Sequence, residues 1–426
     1  MKKIVLTMLL MFAGIGLGWC GIALDDQNTQ KTQNTTDNKK REKERKANVK
    51  KQLDQARQNI KKGNNLENTE KQMRELLKDS LNSGDLSIRI ALYNSIRKQY
   101  EQGNEKLFLK QKYDTASLFN IAQRMFIELN NLDSIDALPD SEGKVKLRYR
   151  KSHASMLKPY HHNLYGGGVF YLNHQKYKEA VSCLDTYLSA FDWPLFSTDR
   201  LPADSTTIHH AGYVSLLAGY LQGDVKSALK YENLALKFQP RLENILQYLA
   251  ELHLQNGDTL KYEQYLCQGV DRYPRSQFFF PHLIDFYCNN GLADKAMKVT
   301  DNVLKKDSLN VLFLRARQMI FLNKGKYDDC IAIGDKILAI DDSLADVNYN
   351  VGLAYYNKAI EMNRQTGIKA REKAKRVNEL YAKCRPYMEH YRALMPEEKE
   401  RWRPILYAVY LNLNLGKEFD EIQKLK

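Results

Sequence analysis

Hydrophobic and polar positions divide this 426-residue chain into three stretches. An apolar run at 4–17 follows Lys2 and Lys3 and is bounded by glycine and tryptophan. It is shorter than the roughly 20 apolar residues of a membrane span, and no stop-transfer pattern follows. Gly21-Ile22-Ala23 offers a small-x-small cleavage site, so residues 1–23 read as a secretory signal peptide. Residues 24–38 hold almost no apolar side chain, and 39–51 carry eight Lys or Arg against two Glu. Residues 24–38 bury too little surface to offset their ordering entropy, and 39–51 reads either as the helical start of the first repeat or as a disordered basic arm; a disordered polar and basic linker is expected over 24–46. Beyond it the pattern predicts helices to the end: divergent helical repeats over 47–160, then a regular array over 161–426. Insertions interrupt that array at 191–208 and about 362–378. A last helix pair holds Trp402 and Leu415, and after Gly416 a short amphipathic tail should cap the stack.

Punctuation gives the array its period. Gly223, Gly257, Gly291 and Gly325 stand 34 residues apart. A small residue follows the last two by five, Ala296 and Cys330, and a proline follows the first two by 17, Pro240 and Pro274. Glycine suits a tight turn between two helices, and proline cannot continue the second one. Gly352 and Tyr355 open a further unit. Ala56 and Gly63 repeat the spacing near the start. The pentapeptide Lys-Asp-Ser-Leu-Asn occurs at 78–82 and at 306–310, with its serine 17 residues after Gly63 and Gly291 respectively. Gly168, Tyr171, Tyr177 and Ala180 mark another unit, and Cys384, Tyr391 and Pro396 a late one.

These residues resemble the tetratricopeptide repeat (TPR) family over about 210–360, although the family's tryptophan is missing from every repeat. The resemblance implies an all-α fold, a TPR-like superhelical solenoid of antiparallel helix pairs A and B. Nearly the whole chain after the leader is also similar to exported TPR proteins of the Bacteroides type. That likeness is carried by the stretch from Leu109 to Ala116, by Tyr248-Leu249-Ala250-Glu251, by Phe279-Phe280-Pro281 and by Leu411-Asn412-Leu413-Asn414. It implies a location and a fold and adds no catalytic residue.

The formal net charge is +14, from 65 Lys and Arg against 51 Asp and Glu. Acids are interspersed with the bases in most helices, as on solvated faces. Two basic concentrations, at 39–51 and 369–376, are where an anionic surface, a glycan or an acidic partner would lean. Export argues against nucleic acid. Soluble export to the periplasm fits better than an outer-membrane lipoprotein anchored through Cys20, because Trp19 stands where a lipobox needs a small residue. Beyond the leader lie Cys183, Cys267, Cys288, Cys330 and Cys384, with no C-x-x-C pair. They read as core thiols, with a Cys267–Cys288 disulfide left open.

Catalytic chemistry is hard to place. No phosphate loop, nucleophile elbow or His-Glu-x-x-His occurs. The run Gly166-Gly167-Gly168 either breaks the entry to a helix or lets two helices approach closely. His161-His162 and His209-His210 open A helices, where neighbours point about 100° apart, so surface or capping roles fit better than metal binding. We therefore expect no enzyme, no catalytic residue, no metal, no cofactor and no transmembrane segment in the mature chain. If exposed, Trp193 and Phe196 of the 191–208 loop suit a partner contact; otherwise they tuck against the edge of the stack.

In the TPR family ligands lie along the groove of the A helices, on repeat positions 2, 5, 9, 12 and 13. The glycine register maps these to Asn244, Gln247, Glu251, Leu254 and Gln255, then to Phe278, Pro281, Asp285, Cys288 and Asn289. The next two repeats supply Leu312, Arg315, Met319, Leu322 and Asn323, then Asp346, Tyr349, Leu353, Tyr356 and Asn357. Gln247, Glu251, Asp285, Asn289, Arg315, Asn323, Tyr349 and Tyr356 are the candidate partner-binding residues. The strip lacks the Lys and Asn set that clamps a C-terminal carboxylate in chaperone-binding TPRs. An exported, non-catalytic scaffold binding a protein or peptide in this groove is the first reading. The alternative is a cell-surface glycan-binding helical protein, like the TPR-containing nutrient-binding lipoproteins.

Overall fold

The computed structural model describes the backbone of residues 23–140 and 142–425, and side chains from Lys40 onward with the same gap. The predicted leader, apart from its last residue, and Cys20 lie outside the described residues. Among those described the fold is all-α, without a strand. Two compact units form, one ending at Asp204 and the other running from Ser205.

The first unit pairs α1 (Ala23–Lys62) with α2 (Leu66–Lys78) and α3 (Leu86–Phe108) with α4 (Thr115–Asp136). After α5 (Arg150–Leu157) it pairs α6 (His161–Asn173) with α7 (Tyr177–Ser189). The expected linker at 24–46 is instead helical, as part of α1. No glycine or proline occurs from 24 to 62, and Lys, Arg, Glu and Gln are good helix formers. Low apolar content predicts weak burial and does not by itself break a helix. Glu42 and Lys46 pair at 2.6 Å one turn apart, and Arg45 reaches Asp79 at 3.2 Å and Asn82 at 3.1 Å.

The expected boundary at 160/161 also moves. α6 and α7 pack with the first unit: the Tyr171 hydroxyl donates to the Ala116 carbonyl at 2.6 Å, and Gln123 Nε2 to the Ser182 carbonyl at 2.8 Å. The glycine run lies inside α6 and serves close approach. A Cβ at Gly168 would fall 2.4 Å from Leu184 Cγ, and one at Gly167 3.0 Å from Phe119 Cβ. The 191–208 insertion is packed too. Leu195 and Phe196 are buried, and the Trp193 ring lies 6.4 Å from that of Phe126. Phe196 is thus a core residue and no surface contact.

The second unit begins with α8 (Ser205–Gln222), faced by the short helices α9 (Val225–Leu229) and α10 (Glu232–Ala235). Regular pairs follow: α11 (Leu242–Gln255) with α12 (Thr259–Arg272), α13 (Phe279–Asn289) with α14 (Ala293–Lys306), and α15 (Val311–Asn323) with α16 (Tyr327–Leu338). Then come α17 (Ala345–Arg364) with α18 (Ala370–Leu394), and α19 (Lys399–Asn412) with α20 (Gly416–Lys424). The insertion expected at about 362–378 is not a separate loop. Both helices of its pair lengthen instead, and only 365–369 connects them.

The predicted turn glycines all adopt positive φ, +76° at Gly223, +75° at Gly257, +70° at Gly291 and +68° at Gly325. Each ends helix A in a Schellman turn. After α11, Gly257 N donates to the Leu254 carbonyl at 3.0 Å and Asp258 N to the His253 carbonyl at 2.9 Å. Pro240, Pro274 and Pro396 fall in the connections from B to the next A. Both Lys-Asp-Ser-Leu-Asn copies start on the last residue of a B helix, Lys78 and Lys306. Ala56, Ala180, Ala296, Cys330 and Cys384 are fully buried where helices meet.

Candidate functional site

The second unit's A helices divide cleanly by helical period. On α11, Ile245, Leu246, Leu249, Ala250 and Leu252 are buried, while Asn244, Leu254 and Gln255 are exposed and Gln247 and Glu251 half-buried. The same holds down the stack: none of the twenty mapped groove positions is buried. Asp285, Asn289 and Asn323 are exposed; Arg315, Tyr349 and Tyr356 are half-buried.

Neighbouring rungs tie some of these together. Gln247 Nε2 donates to Glu251 Oε1 at 3.1 Å, and the Tyr220 hydroxyl donates to the other Glu251 oxygen. That hydrogen bond, with burial behind it, pushes the Tyr220 phenol up to about 12. The Tyr220 and Tyr248 rings lie 4.5 Å apart beside it. Arg315 grips Asp346 on the next A helix through Nε at 2.9 Å and Nη2 at 2.8 Å, so its charge is matched within the chain. Tyr349 carries the Arg401 guanidinium 4.0 Å over its ring and meets Tyr391 at 5.0 Å. Tyr356 faces Tyr381 at 6.1 Å. The two tyrosines thus pack within the C-terminal core, while Asp285, Asn289 and Asn323 present exposed polar edges.

Sequence reasoning missed Tyr220 and Arg401. Tyr220 stands at position 12 of the Gly223 repeat, and carrying the register one repeat further back would have found it. Arg401 belongs to a later helix pair, and no spacing rule links it to Tyr349.

All five described cysteines are free, Cys267 and Cys288 included. Burial pushes the Cys183, Cys330 and Cys384 thiols up to about 12. His161 opens α6, is buried, and places Nε2 2.9 Å from the Tyr187 carbonyl. Burial pushes its imidazole down to about 4, so it stays neutral. Glu232 at the broken B helix accepts from Tyr265 at 2.7 Å, His253 Nε2 at 3.0 Å and Lys261 at 3.1 Å. Burial pushes its carboxyl up, but these donors outweigh it and hold the group below the usual carboxylate range. No described helix is long and apolar enough to cross a membrane.

No family model matches the chain, and no curated protein does. Solved structures are similar to it at low identity. The C-terminal part of a TPR repeat-containing protein from Cytophaga hutchinsonii aligns at 12% identity and a TM-score of 0.41, over 61% of this chain and 93% of that one. A tetratricopeptide repeat protein from Parabacteroides merdae aligns at 11% and 0.25, over 66% and 98%. The TPR2AB domain of yeast Sti1, in complex with an Hsp90 peptide, aligns at 11% and 0.22, over 62% and 99%. Scores at this level carry no argument about ligand or activity. The helix pairing and its 34-residue turns decide the architecture. The second unit is a TPR-like stack of helix pairs, and the first pairs its helices without that period.

Proposed function

We propose that the chain is an exported, non-catalytic scaffold that holds an extended protein segment along the A helices of its second unit. The observation that supports this most is the exposure pattern: none of the twenty mapped groove positions is buried, although fully buried neighbours lie beside them on the same helices. A stack of A helices offers the same positions rung by rung, which suits an elongated ligand. Asp285, Asn289 and Asn323 supply the hydrogen-bonding groups, and Leu254, 48% exposed, an apolar contact.

A photo-reactive residue at Asn289 or Asn323 should capture a partner in the native host. The same residue at the exposed B-helix positions Lys298 or Lys336 should not. Adducts only at the B-helix positions would remove the groove from the reading, and binding on a glycan array with no protein adduct would favour the saccharide alternative. Export predicts a mature protein that begins near Leu24 by mass spectrometry; palmitate labelling abolished by Cys20→Ser would replace it with a lipoprotein.

A further inference from the structure

A cleft lies in the first unit, and none of its lining residues is a groove position. It measures about 800 Å³ and is lined by α2, the second half of α3 and the first half of α4. Its base is ionic. Arg124 of α4 donates through Nη1 to both carboxylate oxygens of Glu70 on α2, Arg74 reaches Glu70 at 3.0 Å and Glu128 at 2.5 Å, and Gln99 donates to Glu70 at 2.8 Å. A charge cluster of this kind is weak evidence for stability, since apolar side chains of similar volume often hold helices as well.

What the cleft has left over is mostly donors. Glu70 and Glu128 are occupied by the two arginines, and Glu75 pairs with Lys78 at 2.6 Å. Lys71 on α2 is exposed and makes no ion pair among the described residues. Lys106 on α3 is exposed, with Nζ 5.7 Å over the Tyr113 ring. Arg124 Nε is buried without an acceptor among the described residues. Against these, Glu67 is the one uncommitted carboxylate among the described residues lining the cleft. The 13 residues of α2 make a wall of about 20 Å, the length of about six extended residues.

We propose that this cleft binds a short acidic peptide segment in extended form, its carboxylates set against Lys71, Lys106 and Arg124. A guanidinium already held by Glu70 is oriented before the ligand arrives, which lowers the ordering cost of a second carboxylate contact. The site is separate from the groove proposed above, and either can fail alone.

The test uses the full chain with dye-labelled hexaglutamate, followed by fluorescence anisotropy at low salt, with hexaglutamine as control. Hexaglutamate should bind and hexaglutamine should not. Lys71→Glu with Lys106→Glu should weaken binding by about tenfold or more. Arg371→Glu with Lys375→Glu, in the exposed basic cluster on α18, should leave it within roughly twofold. If the first double variant misfolds by circular dichroism, Lys71→Gln with Lys106→Gln takes its place. No hexaglutamate binding, equal loss in both variants, or loss only in the α18 variant overturns the proposal. So does polygalacturonate binding through the same lysines while hexaglutamate fails.

Discussion

In the second unit four consecutive A–B turns carry glycine and the last falls on Asn414, with φ of +55°; in the first, Gly63 makes the opening turn and Lys110 and Gln175 make the next two, with φ of +54° and +59°. The hydrogen bonds are alike. Gln175 N donates to the Leu172 carbonyl at 3.0 Å and Lys176 N to the Tyr171 carbonyl at 2.9 Å, the pattern seen at Gly257. The units differ again in where they place charge. The first buries it, in the Glu70–Arg124–Arg74–Glu128 cluster and in Arg150 forked onto Asp133 at 2.8 Å. The second mostly keeps it outside, in the repeated pairs Asp294–Lys324 and Asp328–Lys358, and buries one network at Glu232 beside the broken helix. One pair architecture thus accepts polar as well as glycine residues at its turns, and buried ion pairs as well as an apolar core.

The largest effects should come from the interiors. Leu249→Ala empties a fully buried site in the regular core and should cost about 3 kcal/mol by chemical denaturation. Glu70→Gln leaves Arg124 and Arg74 underpaired. Because both arginines keep some solvent contact, about 2 kcal/mol is expected. Acid separates the two variants. Burial pushes the Glu70 carboxyl up, but Arg124, Gln99 and Arg74 outweigh it and hold it below the ordinary range. The folded pKa lies under the unfolded one, so this contribution is complete above about pH 4.5 and fades as pH falls through the folded value. The Glu70→Gln deficit should therefore shrink on acidification while the Leu249→Ala deficit persists. A Glu70→Gln cost independent of pH would mean that the cluster works through shape alone.

This contrast also explains what can be read from the sequence. Glycine at 223, 257, 291 and 325 announces its turn because only glycine is unstrained at positive φ. Lys110 and Gln175 occupy the same backbone region and look like any polar residue. None of the mapped lining positions is buried, because helical period fixes which side of an A helix faces the core. It cannot place Arg401 over Tyr349 or Arg124 on Glu70, since those contacts join residues from different helix pairs. The lengthened α17 and α18 look like an insertion because a helix pair can grow by whole turns without any punctuation. The 24–46 stretch looks like a linker because its composition reports burial, and burial is a separate question from helix formation.

A smaller effect should come from exchanging the turn residues. A Cβ added at Gly257 would meet nothing within 4 Å, so Gly257→Ala tests backbone strain alone and should cost about 1 kcal/mol. Gln175→Gly relieves the same strain in the first unit but loosens the unfolded chain, so the net gain should be about 0.5 kcal/mol. Opposite signs in thermal midpoint would confirm that the two turns differ in strain only. A loss at Gln175→Gly would show that this side chain holds the turn by some other contact.

The smallest effect should come from the surface pairs, although they recur at the repeat interval. Asp294 and Asp328 are 94% and 87% exposed, and only their lysines are sheltered, at 29% and 28%. Lys324 holds the Asp294 carboxyl below its usual range, yet that group stays in water. Such pairs gain little because solvent screens the attraction and two long side chains lose freedom to meet. Asp294→Asn with Asp328→Asn should leave the thermal midpoint unchanged within error, at moderate salt and at about 1 M alike. A clear drop at moderate salt that vanishes at high salt would mean that the repeated pairs act as a network along the second unit. The regular unit would then rest on charge as the first one does, and the contrast between them would narrow to the turns.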